Sequence, residues 1–179
     1  MRAVLCVVAL SMVACAPTTL RLAEEISHFG AKYEPTPGDE MAAGLADLEQ
    51  RLKAWGVRLV DLHPKVSYLG YAEAHTRTIY LQPWLSVNAR FEVLAHEAGH
   101  FLQPPTIDEQ TKMFGQLFAE MVGVGVQKFY HSKTAERVAA PYLAQMKYTF
   151  PAYKWMRRDI DRAVKALTGQ IPLPEWRTP

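Results

Sequence analysis

The sequence predicts an α+β fold, mostly helical with one small β-hairpin, and three observations carry that prediction. Apolar residues recur at three-to-four spacing in several stretches, the signature of helices with one buried face. Between residues 66 and 82 the period changes to alternation in segments rich in β-branched and aromatic residues, which marks strands. Immediately afterwards a stretch with apolar flanks reads Val93-Leu94-Ala95-His96-Glu97-Ala98-Gly99-His100-Phe101-Leu102, so a core helix carries two histidines four residues apart.

Residues 1–19 stand apart from this domain. Met1-Arg2 supplies one positive charge, Ala3 to Val13 is an apolar run broken only by Ser11, and Ala14-Cys15-Ala16-Pro17 follows. The run is shorter than the roughly 20 apolar residues of a permanent membrane helix and suits a secretory signal. Met12-Val13-Ala14-Cys15 resembles a bacterial lipobox, with Met12 where leucine is preferred. On that reading residues 1–15 are a signal peptide ending at Cys15, the point of lipid attachment, and residues 16–179 form one domain. Ordinary cleavage after Ala16 competes, but Pro17 disfavours it. Both cysteines, Cys6 and Cys15, fall in this segment, so the domain itself contains no thiol.

Along the domain, Leu22, Ile26 and Phe29 space a helix over about 20–33. After the turn-rich Pro35-Thr36-Pro37-Gly38, Met41, Leu45, Leu48, Leu52 and Trp55 space a second over about 39–55. Residues 66–72 and 76–82 form the hairpin; Pro83 stops it, and Ser86 or Asn88 can cap the histidine helix. The second strand is expected to expose its edge along the cleft, where an extended peptide could be held as an added strand. Gln103-Pro104-Pro105 ends the histidine helix, and Thr106 to Glu109 reads as a capping box for the next. From Met113 to Gln127 the sole charged residue is Glu120, which describes a buried helix with one buried carboxylate. Two further helices are expected over about 134–147 and 153–167. The last turns Met156, Ile160, Ala163 and Leu167 to one face and Arg157, Arg158, Arg162 and Lys165 elsewhere.

The chemistry rests on His96-Glu97-x-x-His100. Side chains four apart on a helix share a face, so both imidazoles can bind one metal ion, with Glu97 beside it. Zinc bound in this way keeps a position for water and lowers the water's pKa, and a neighbouring carboxylate can take the proton. Glycine inside a helix costs about 1 kcal/mol against alanine, so Gly99 is expected where another segment crosses closely. His28, His63 and His75 read as ordinary scaffold or loop histidines.

A hairpin ending in Thr76-Arg77-Thr78-Ile79-Tyr80-Leu81, a short polar gap and Glu92-Val93-Leu94-Ala95-His96-Glu97-Ala98-Gly99-His100 together resemble the zincin metallopeptidases. In particular they are similar to the small gluzincin-like domains of the ImmA/IrrE sort, over roughly residues 66–130. Glu120 lies twenty positions after His100, the interval at which thermolysin-like gluzincins carry their third ligand, and the resemblance therefore implies His96, His100 and Glu120 as zinc ligands. Asp108 and Glu109 compete for that role, although a helix start already explains acidic residues there. Those enzymes place an aspartate four residues after the third ligand, where this chain has Val124. Tyr130, His131, Tyr148 and Tyr153 are candidate donors to a developing oxyanion.

The expectation is a zincin-like zinc endopeptidase, lipid-anchored in the bacterial cell envelope, with Zn2+ as cofactor and a peptide or protein as substrate. A non-catalytic envelope lipoprotein and a cytosolic repressor-cleaving peptidase are the alternatives. A net charge of +2 and the lack of any basic stripe interleaved with aromatics give no indication of nucleic-acid binding.

Overall fold

Pairing around one short strand organises the fold. In the computed structural model, which describes residues 36–63, 68–104, 112–132 and 156–176, β3 (Thr78–Leu81) is flanked on both sides. β1 (Arg58–Asp61) runs parallel to it with Leu59 opposite Ile79, and β2 (Gly70–Glu73) runs antiparallel with Ala72 opposite Ile79. The sheet order is therefore β1-β3-β2. The expected hairpin is present as β2 and β3, joined through the 3-10 turn Ala74–Thr76 and Arg77 at φ 53°. β1 is an addition that short polar-flanked residues gave no reason to expect. It also corrects the expected free edge: β3 is paired along both sides, so among the described residues the edge strands are β1 and β2.

The first described helix, α1 (Ala42–Ala54), buries Leu48 and Leu52 on its apolar face, as the spacing requires. Gly56 ends it with φ +85°, the left-handed conformation that glycine adopts without strain. The histidine helix α2 (Val87–Phe101) is capped by Ser86, whose Oγ accepts from the Ala89 N–H at 3.2 Å. Its start is tied to the turn before α1. Asn88 Oδ1 accepts from the Met41 N–H at 3.0 Å, the Asn88 side chain donates to the Pro37 carbonyl at 2.9 Å, and Ser86 Oγ donates to the Thr36 carbonyl. One turn further along, the buried Glu92 accepts from the Thr36 hydroxyl at 3.0 Å.

The long buried helix is α3 (Lys112–Phe129), and it crosses α2 at very short range. A Cβ on Gly99 would lie 2.9 Å from Ala119 Cα and 3.0 Å from its carbonyl oxygen, and one on Gly123 would lie 3.2 Å from His96 N. Both glycines face backbone, so no side-chain rotation could relieve a substitution. A fourth helix, α4 (156–167), places Met156, Ile160, Ala163 and Leu167 in the core together with Phe91, Leu94, Phe118, Val122 and Ile79. Each large apolar side chain so buried contributes about 1.5–3 kcal/mol of transfer free energy.

The segment after α4 returns to the far end of α1, where Trp176 stacks on Trp55 at 4.1 Å and its Nε1 donates to the Trp55 carbonyl at 2.6 Å. The Arg77 guanidinium lies over the Trp176 ring, 4.7 Å from its centre. No helix among the described residues is long and apolar enough to cross a membrane. The expected helices over 20–33 and 134–147 lie outside the described residues, as does the capping box at 106–109.

Gly99→Ala tests the crossing. Overpacking against backbone costs about 1–3 kcal/mol, against a helix-propensity gain of about 1 kcal/mol. The urea midpoint should therefore fall, and an equal or higher midpoint would show that the two helices can separate without loss.

Candidate active site

His96 and His100 occupy adjacent turns of α2, with ring centres 5.0 Å apart and planes at 80°. Their neighbours Leu94, Ala95 and Ala98 are fully buried, which fixes the helix rotation, and His96 meets α3 at Glu120.

Glu97, one position round, is 8% exposed and lies under β2. Its carboxylate accepts a hydrogen bond from the Ala72 backbone N–H of β2. Gly70 makes this approach possible: a Cβ there would sit 3.0 Å from Glu97 Cγ and 3.1 Å from Oε1, and would collide with Val93. Burial pushes the Glu97 carboxyl above its ordinary range, while the charge of His96 and the Ala72 N–H pull it down less strongly. A carboxylate shifted toward neutrality is better matched to proton transfer than an exposed one.

Glu120 is brought to the same place by the helix crossing. Gly123 rides on the backbone of His96, and one turn earlier on α3 the Glu120 side chain, 7% exposed, sets its Oε2 2.9 Å from His96 Nδ1. Burial alone would lower the His96 pKa, but the Glu120 hydrogen bond and the charges of Glu97 and Glu120 outweigh it and raise the value, with Gln116 adding a further bond. For His100 the balance is reversed. Burial and the positive charge of His96 lower it to about 4, opposed by a hydrogen bond to the Gln103 side chain.

The two histidines fit a zinc ion in their donor chemistry and ring spacing. Two imidazole nitrogens each about 2.0–2.1 Å from a tetrahedral zinc put their ring centres about 5 Å apart, which is the separation of His96 and His100. Among the described residues no group of three or more His, Cys, Asp and Glu side chains is placed to hold a metal ion together, and Glu120 stands at His96 Nδ1.

The other sequence candidates are placed as follows. The Tyr130 hydroxyl donates to Asp47 on α1, and burial together with Asp47 pushes its pKa up to about 12. Its ring meets Phe91 edge-on at 5.6 Å, on the α1 side of the core. His131 is exposed in the turn after α3, at φ 59°. His63 is exposed, and His75 sits in the 3-10 turn, 3.6 Å from Glu73. Cys15, His28, Asp108, Glu109, Tyr148 and Tyr153 lie outside the described residues. Sequence reading missed Gly70, the Ala72 N–H, Gln103 and Gln116. The two glutamines were visible in principle, since Gln103 is three residues after His100 and Gln116 is four before Glu120, both helix-neighbour spacings.

A histidine-bearing helix beneath a small mixed sheet, with a buried carboxylate delivered by the following helix, defines the class as a zincin-like α+β domain. Residues 42–124 match the model of the peptidase M78 family, described as the IrrE N-terminal-like domain. That match spans β1 to β3, α2 and the part of α3 that carries Glu120, and it supports the ImmA/IrrE type of metallopeptidase for this stretch. No curated protein and no solved structure matches the chain.

The opposite shifts of the two histidines can be measured without metal. By ring-proton NMR, His100 should stay neutral until the pH approaches its value of about 4, whereas His96 should remain protonated to a higher pH than an ordinary histidine. The depressed His100 contributes stability that is present above its unfolded pKa and is lost as the pH falls through the folded value. The raised His96 contributes stability present below its unfolded pKa and lost as the pH rises through the folded one. Two histidines titrating together at the ordinary value would contradict the described pairing.

Proposed function

We propose that this chain is a zinc-dependent endopeptidase whose metal is held by His96, His100 and Glu120. The observation that carries the reading is the spacing of the two rings on α2 with Glu97 beside them and Glu120 against His96. Zinc, when bound, supplies a Lewis acid that acidifies a water and polarises the scissile carbonyl. Glu97 takes the proton from the attacking water and passes it to the leaving amine. An extended substrate lies along β2, whose outer side pairs with no strand among the described residues and whose Ala72 N–H already accommodates one carboxylate oxygen. A substrate carbonyl that takes over this N–H releases Glu97 toward the water.

The contact of Glu120 with His96 Nδ1 favours one second reading of that residue alone: a carboxylate that orients the histidine from behind. Zinc content separates the two roles. Wild type should hold about one zinc per chain, as a closed set of protein ligands plus water requires. Glu120→Ala should abolish tight binding if Glu120 is a ligand, and weaken it only roughly 10–100-fold if it orients His96. Glu97→Gln should retain zinc and lose roughly 10²–10⁴-fold in peptide hydrolysis. A wild-type protein without zinc after zinc is supplied, or a Glu97→Gln variant of full activity, would end the peptidase reading.

We further propose that the chain is anchored in the bacterial envelope through acyl chains on Cys15, which the lipobox-like Met12-Val13-Ala14-Cys15 supports. Cells fed a fatty-acid analogue should label the wild type and not Cys15→Ser. Equal labelling of both would remove the anchor.

A further inference from the structure

A metal-binding histidine needs a partner for its second ring nitrogen, since that partner decides which nitrogen carries the proton and which keeps a lone pair. For His100 the partner is the residue with which the chain leaves α2.

Gln103 folds back on His100 at both ends. Its backbone N–H donates to the His100 carbonyl at 3.4 Å, and its side-chain amide is hydrogen-bonded to the His100 ring. The amide is seated on α3 at Gly115, where an added Cβ would lie 2.9 Å from Gln103 Oε1, 3.0 Å from Nε2 and 3.2 Å from Cδ. Gly115 is buried, so the amide occupies the space that any larger residue there would fill. The rotatable glutamine side chain is thus held between a glycine on one helix and the imidazole on the other.

We infer that Gln103 is the positioning residue for His100, its amide oxygen accepting the ring N–H so that the other nitrogen presents its lone pair to the metal, with Gly115 as the seat that keeps the amide in place. This rests on the zinc-site reading for its purpose and on the contacts of Gln103 for its geometry. An amide oxygen is a neutral acceptor, so it selects the tautomer without adding a third negative charge beside Glu97 and Glu120.

The experiment uses the full chain with Gln103→Leu, Gln103→Glu and Gly115→Ala, and has two readouts. In the metal-free proteins, nitrogen-15 spectra of the His100 ring report the tautomer. Wild type and Gln103→Glu should show one fixed N–H, and Gln103→Leu should show two exchanging forms. Competition with a zinc chelator should then find Gln103→Leu weaker by roughly 10–100-fold, Gln103→Glu restored to near wild type, and Gly115→Ala weakened in the same direction. Alanine suits a helix better than glycine, so Gly115→Ala keeps the test open if Gln103→Leu does not fold. An unchanged tautomer in Gln103→Leu, or in Gly115→Ala if it alone folds, would overturn the inference, as would unchanged zinc affinity in a zinc-binding protein. A wild type that binds no zinc would instead overturn the peptidase reading, and the tautomer spectra would still decide the role of Gln103.

Discussion

The near-contact between α2 and α3 is the constraint on which the rest depends. Gly99 faces the backbone of Ala119, and Gly123 faces the backbone of His96, so each helix contributes a residue without a side chain at the place where the other passes. This crossing brings Glu120 to 2.9 Å from an imidazole that belongs to a different helix. The cost is familiar: glycine weakens each helix, and a carboxylate, an imidazole and a second carboxylate are drawn from water together. That cost is offset locally by pairing Glu120 with His96 and by the backbone donor that Ala72 gives Glu97. At a distance it is offset by apolar burial from all four described helices, and by the polar clasp of Thr36, Ser86 and Asn88 that fixes where α2 begins.

Much of this was legible beforehand, and the reason is periodicity. The pair His96 and His100 sits at the spacing of a helix face, Leu48 and Leu52 mark the buried side of α1, and a lone Glu120 among apolar residues announces a buried carboxylate with a task. Gly99 could be read as a crossing point because a glycine in that setting has no local advantage. What stayed hidden depended on partners remote in sequence. β1 is four residues long and owes its existence to β3, twenty positions later, not to its own composition. The edge of the sheet was assigned to the wrong strand for the same reason, since the identity of an edge is a property of the whole sheet. Tyr130 looked available to a substrate until its hydroxyl met Asp47, a residue separated from it by 83 positions.

The two histidines show how one motif yields two electrostatic environments. They share a helix and a chemistry, yet one leans on a carboxylate and the other on an amide, and their affinities for protons move in opposite directions. In a buried site the proton that one ring holds repels a second, so the pair as a whole resists carrying two positive charges. A divalent cation placed between neutral rings would replace that arrangement with one charge shared by both, and the buried carboxylates would then face a cation in place of a proton.

The open side of β2 has a consequence for the behaviour of the protein in crowded solution. A sheet edge with unpaired backbone groups is a template for any extended chain, including misfolded copies of the same protein. Here Glu97 reaches from below to the Ala72 N–H, so this donor of β2 is engaged before any extended chain arrives. Natural sheets often blunt such edges with an outward charge or a proline; in this molecule a carboxylate from the helix underneath engages the Ala72 N–H, and an extended chain has to displace it to use that donor.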